Sequence, residues 1–170
     1  GVVRRIALAP SILGRMVPAV YIEPFPSSTQ ELIEGTACDP LKATPAEIVE
    51  AIQQAGIVGL GGAGFPSHAK LRIPPGKSVD TLVINGAECE PYLTTDHRVM
   101  LEHPQDILKG IQYLQRATAA QLTIIAIEAN KPDAAQSLRQ EISRQSANVR
   151  VEVLPVKYPQ GAEKLLITAL

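Results

Sequence analysis

The sequence predicts an α/β fold, a parallel sheet flanked by helices and preceded by a short β segment. Three observations predict it. Apolar runs at 81–85, 122–128 and 149–156 have the length of buried strands. Amphipathic stretches opening at Pro104 and Pro132 fall between them, so strand and helix alternate as a parallel sheet requires. The 170 residues, 45% hydrophobic and 19% charged, suffice to bury one core.

The elements follow in order. Residues 2–8 and 17–22 are β-like runs separated by Pro10, Ser11 and Gly14. Pro18, Pro24 and Pro26 limit their length, and residues 1–25 read as a piece of a small β unit. A Ser-, Thr- and Pro-rich connection covers 26–43, with a short helical turn expected near 30–35. A helix is expected over 44–55. Thr44 suits the N-cap, Pro45 the first helical position, and Glu47 completes a capping box. Ile48, Ala51, Ile52 and Ala55 share one face, and Gly56 supplies the stop. Helix 104–118 turns Ile107, Leu108, Ile111 and Leu114 inward, and helix 132–145 turns in Ala135, Leu138 and Ile142. A last helix begins within 161–170. Gly1 opens directly into a strand-like run and Leu170 falls inside a helical pattern, so the chain is expected to be a segment of a longer protein.

Composition excludes several classes. A net charge of −1 offers no basic field for nucleic acid or an anionic membrane. No apolar run reaches the roughly 18–20 residues of a membrane helix, so no direct membrane span is expected. Cys38 and Cys89 are too few for a disulfide framework, and no CxxC pair is present to hold a cluster or zinc. His68, His97 and His103 lack a metal-ligand spacing and read as surface or capping groups. No metal site is expected.

Two motifs carry chemistry. Gly59, Gly61 and Gly64 satisfy G-x-G-x-x-G letter for letter, but a dinucleotide fingerprint needs a strand before the loop and a helix after it. Here a capped helix ends at Gly56, and Pro66 keeps Phe65 out of helical geometry. Four glycines in six residues still lower the barrier to positive φ and let a ligand approach the main chain. Their N–H groups can cradle a phosphate, with Lys70 as a point charge; the plainer reading is a tight surface loop. The second motif is Asn85, Glu88, Cys89 and Glu90, directly after the first strand of the sheet, where ligands of open α/β sheets sit. Its carboxylates suit sugar hydroxyls or an amide; the plainer reading is a solvated loop. Glu128, Asn130 and Lys131 follow the second strand, and Tyr158, Gln160, Gly161 and Glu163 the third, so polar side chains collect at one end of all three strands. Capping explains Asn130 and Glu163 individually. Cys89 alone is a small hydrophobe.

Four blocks together resemble a known family: Gly-Leu-Gly-Gly-Ala-Gly-Phe-Pro-Ser-His-Ala-Lys-Leu (59–71), Ile-Asn-Gly-Ala-Glu-Cys-Glu-Pro-Tyr (84–92), Ile-Glu-Ala-Asn-Lys-Pro (127–132) and Lys-Tyr-Pro-Gln-Gly-Ala-Glu-Lys (157–164). In this order they resemble the C subunit of the Rnf electron transport complex and, more distantly, the flavin-bearing NADH-binding subunit of respiratory complex I. The cobalamin reductase of propanediol-degrading microcompartments shares the blocks. The resemblance implies a Rossmann-like sheet of the complex I flavin-subunit type over 44–170, cut short at its C-terminus. It implies that 1–25 is the tail of a β barrel-sandwich unit, with 26–43 as linker.

It further implies non-covalent FMN and hydride transfer from NADH, with no side chain needed as acid or base because the flavin carries the reaction. Carried over by position, Gly59, Gly61 and Gly62 contact FMN, with Lys70 near its phosphate. Asn85 and Glu88 match flavin-contacting positions, and Tyr158 and Gly161 belong to the last block lining the pocket. Phe65, Glu90 and Glu163 fall on the NADH side. Electrons then leave through 4Fe-4S clusters expected in the full-length protein only, since neither cysteine-rich cluster motif is present. The family's next Asn-rich flavin contact is absent too. Leu60 and Ala87 replace the Arg and Asp of the complex I relatives and follow the Rnf pattern, while Ala162 departs from the expected Gly or Glu and narrows the pocket. Implied partners are the other subunits of a membrane electron transport complex coupled to ion translocation, at the cytoplasmic face of a bacterial inner membrane, peripherally attached. The alternatives are a flavin-dependent cobalamin reductase and a non-catalytic nucleotide-binding docking module.

Overall fold

The computed structural model describes residues 1–11, 13–27, 38–60 and 64–170. The chain divides into two compact units, Gly1–Ala37 and Cys38–Leu170. In the first, β1 (Val2–Pro10) and β2 (Met16–Glu23) form an antiparallel pair with Ile6 opposite Val20 and Leu8 opposite Pro18. Gly14 turns the chain between them at φ +72°. The helical turn expected near 30–35 lies outside the described residues.

The second unit holds a sheet of three parallel strands in the order β3 (Thr81–Gly86), β4 (Leu122–Glu128), β5 (Val149–Leu154). Helix α1 (Pro45–Gln54) forms as its capping box demands. Thr44 Oγ1 accepts the Glu47 N–H, and the Glu47 carboxylate accepts the Thr44 N–H at 2.7 Å. α1 packs on α4 (Pro104–Thr118) and on the short α2 (Ser67–Leu71), burying Ile48. α5 (Pro132–Gln145) joins β4 to β5. Period-2 alternation sorts the strand residues between two faces. Ile125 and Ile127 pack with Met100, Leu108, Ile111 and Leu138 under the helices, while Ala126 faces Leu154, Ala87 and Leu166 on the other side. That second face is covered at β3 by α6 (Glu163–Ala169).

The expected fold class is the observed one, with two helices that the sequence did not announce. α2 is only 5 residues long and follows Pro66. α3 (Thr95–Glu102) has a weak apolar stripe, and Thr94 at its N-cap makes no side-chain cap bond. Its first amides are satisfied by a residue far upstream, which no local cap pattern reveals. β5 stops at Leu154 because Pro155 cannot donate to a ladder, two residues short of the expected end.

Candidate functional site

A cleft of about 640 Å³ opens on the thinly covered face of the sheet, along β3. Alternation places Thr81, Val83 and Asn85 on its floor, while Ile84 points to the opposite core. Asn85 is fixed at both ends of its amide. Its Oδ1 accepts the Ala87 N–H at 3.1 Å, and its Nδ2 donates to the Gly161 carbonyl at 2.8 Å. The two chain segments meet so closely there that a Cβ on Gly161 would lie 2.6 Å from the Ala87 oxygen. Only glycine allows that approach.

The base of the glycine loop closes one side. Val58 and Pro66 form an antiparallel bridge, Gly59 N–H donates to the Phe65 carbonyl at 2.8 Å, and Ser67 N–H donates to the Ile57 carbonyl at 3.0 Å. The loop is thus pinched at its base. The expectation of a free Gly59 amide is corrected by that bond. Gly61 and Gly62 lie outside the described residues. Lys70, on α2, reaches Glu163 at the start of α6 with 2.7 Å between Nζ and Oε1, and stands 5.8 Å above the half-exposed Phe65 ring. The hydrogen bond and charge of the Lys70 ammonium hold the Glu163 carboxyl below the ordinary glutamate range. Leu166 and Ile167 of α6 supply an apolar wall.

The remaining wall is acidic, formed by Glu90 and Asp96. Partial desolvation pushes the Asp96 carboxyl up from the ordinary aspartate range; the nearby Glu88 and Glu90 charges add to this, and Lys131 opposes it. Among the described lining residues, three carboxylates (Glu90, Asp96, Glu163) face one ammonium, Lys70. Such a surface suits a ligand that presents hydroxyls or an amide to the acids, a flat ring to Phe65 and the apolar wall, and a single anionic group to Lys70.

Of the residues singled out in the sequence, the cleft brings together Gly59, Phe65, Lys70, Asn85, Glu90, Gly161 and Glu163. Two are elsewhere. Tyr158 is 76% exposed and outside the lining. Glu88 is buried beside it, its carboxylate accepting the Asp96 N–H at 2.9 Å and the His97 N–H at 3.3 Å, so it caps α3. Thr81, Val83, Asp96, Leu166 and Ile167 line the cleft without having been singled out. The strand alternation that ends in Asn85 carries a signal for the first two; Asp96 and the α6 pair had none, because their helices are fixed by distant contacts. His97 and His103 pair through their side chains with Asp133 and Asp106, at 2.9 and 3.3 Å, and His103 at the α4 N-cap makes no side-chain cap bond.

The comparisons with known proteins give the family. Residues 52–170 match the family Complex1_51K, the Nuo51 FMN-binding domain. The chain is 47% identical over 142 residues to the C subunit of the proton-translocating ferredoxin:NAD(+) oxidoreductase complex of Clostridium ljungdahlii, covering 82% of this chain and 31% of that protein. It is 47% identical over 123 residues to the C subunit of the Na(+)-translocating ferredoxin:NAD(+) oxidoreductase complex of Acetobacterium woodii, covering 72% and 28%. It is 46% identical over 133 residues to the C subunit of the ion-translocating oxidoreductase complex of Pasteurella multocida, covering 78% and 16%. The chain therefore spans less than a third of these curated relatives. Among solved structures, an NAD+-reducing [NiFe]-hydrogenase in the air-oxidised state superposes with a TM-score of 0.64 at 26% identity, covering 72% of this chain and 23% of that one. The resemblance drawn from the four sequence blocks is borne out.

Proposed function

The chain belongs to the Nuo51 FMN-binding domain family, and from that premise we propose that it is the flavin-binding segment of the C subunit of an ion-translocating electron transport complex, where it oxidises NADH. The observation that carries the reading is the cleft over β3, which gathers the glycine-loop base, Phe65, Lys70, Asn85, Glu90 and Gly161 in one concavity. Its volume lies within the roughly 300–1,000 Å³ of small-molecule sites. The residues fit FMN. Gly161 adds no side chain where its backbone meets Ala87, the apolar wall suits a ring system, and Lys70 is the cation in the described lining for a phosphate.

Bound FMN supplies a hydride acceptor and a store from which electrons leave singly. The chain's own residues position and exclude. Asn85, held by Gly161 and Ala87, fixes the floor. Phe65 and Leu166 keep water from the reacting ring, and Glu90 with Asp96 accepts hydrogen bonds from the nucleotide. Clusters in the rest of the protein would take the electrons, and partner subunits would hold the complex at the cytoplasmic face of the membrane; among the described residues no helix is long and apolar enough to cross a membrane.

An anaerobic titration of the full-length protein tests this. The expected result is stoichiometric FMN binding and bleaching of the flavin band by NADH. Absence of FMN binding overturns the reading, and FMN binding without bleaching reduces the chain to a nucleotide-holding module.

A further inference from the structure

The block 127–132 takes no part in lining the cleft, yet it contains an ion pair buried at both ends. Lys131 and Glu128 lie 3.2 Å apart between Nζ and Oε2, with side chains 7% and 1% exposed. Removing two charges from water is costly, and their attraction alone often fails to offset the cost. The rest of the geometry supplies a reason for the pair. An ammonium has three donors, and Lys131 Nζ finds three acceptors, each at 3.2 Å: Glu128 Oε2, Asn130 Oδ1 and the Glu88 carbonyl. The third acceptor belongs to the segment that follows β3. Glu88 is therefore gripped twice, by Lys131 at its carbonyl and by the Asp96 and His97 amides at its carboxylate. Glu90, two residues on, and Asp96, at the capped end of α3, form the acidic wall of the cleft.

We propose that Lys131 is a positioning residue for that wall, holding Glu90 and Asp96 where a dinucleotide's hydroxyls or amide meet them. The proposal rests on the reading that the cleft takes NADH beside the flavin. Lys70, on the far side, has no hydrogen bond or ion pair to Lys131. Loss of the tether therefore acts on the nucleotide side and spares the phosphate side.

Lys131→Met alone would leave the Glu128 carboxylate buried and unpaired, with an Oε1 that already lacks a partner, so the double variant Lys131→Met with Glu128→Gln is the informative one. It removes both charges and nearly conserves volume. In full-length, FMN-loaded protein the expected result is a KM for NADH raised roughly tenfold, the scale of one lost hydrogen bond to a charged group. FMN affinity and kcat stay near wild type. Amide exchange over 86–98 accelerates while that of β4 does not. An unchanged KM overturns the proposal, and so does a parallel fall in FMN affinity, which would mark a role in folding. If NADH fails to bleach even the wild-type flavin, the functional reading falls, and exchange over 86–98 alone decides the tether: unchanged exchange in the double variant overturns it.

Discussion

At the scale of single residues, the cleft's electrostatics turn on a competition. Lys70 is already paired with Glu163 at 2.7 Å, so a phosphate arriving at Lys70 must displace a carboxylate or share the cation with it. The pair is exposed and weakly held, as surface ion pairs are, which makes the exchange feasible. Lys70→Ala is expected to weaken FMN binding roughly tenfold, the scale of a truncated charged hydrogen bond, and to leave riboflavin binding almost unchanged. Glu163→Gln is expected to tighten FMN binding by freeing the ammonium. Fluorescence-quenching titrations with both flavins check this; equal losses for FMN and riboflavin on Lys70→Ala would assign the lysine to the fold. Lys70 was legible in the sequence because a cation beside a glycine loop has few other uses. Glu88, carried over as a flavin-contacting position, instead caps α3. Its burial and its two amide partners come from a helix eight residues later, and a sequence shows carboxylates without showing which way they turn.

At the scale of elements, the contrast is between α1 and α3. α1 carries all its instructions locally: N-cap, proline, capping box and apolar face lie within the helix and its flank. α3 is started by a side chain that belongs to another segment. The three strands and helices α1, α4 and α5 were readable for the same reason as α1, and α2 and α3 were not. The two kinds of start respond differently to substitution. Thr44→Ala is expected to cost about 1 kcal/mol of stability and leave ligand affinity alone, since α1 does not line the cleft. Glu88→Ala is expected to cost about 1–3 kcal/mol, because it strips two amides of α3 of a charged acceptor, and to weaken nucleotide binding as the α3 end frays. Chemical denaturation and a ligand titration on each variant check the pair; a Glu88→Ala protein with wild-type nucleotide affinity would detach α3 from the site.

At the scale of the whole molecule, several carboxylates tie stability to pH. Glu47 lies below its ordinary range through the Thr44 N–H and then the Thr44 hydroxyl, Asp133 through the His97 hydrogen bond and then the Ala134 N–H, and Glu163 through Lys70. Groups with depressed folded pKa values stabilise the fold above their unfolded values, about 3.9 for Asp and 4.3 for Glu. That stability is lost as pH falls through the folded values. Asp96, pushed up, runs the opposite way: its contribution is present at low pH and disappears as pH rises through its folded value. With three groups against one, the melting temperature is expected to fall as pH drops from about 5 towards 3. His97→Gln is expected to flatten part of that slope by removing Asp133's partner; thermal melts across this range check it, and an unchanged slope would take Asp133 out of the account. Warming acts on the molecule differently from acid. The hydration of charged groups grows less favourable as temperature rises, so the desolvation cost of the buried Lys131–Glu128 pair shrinks on heating. Relative to an apolar replacement, the buried pair behind the acidic wall therefore costs less as the protein warms.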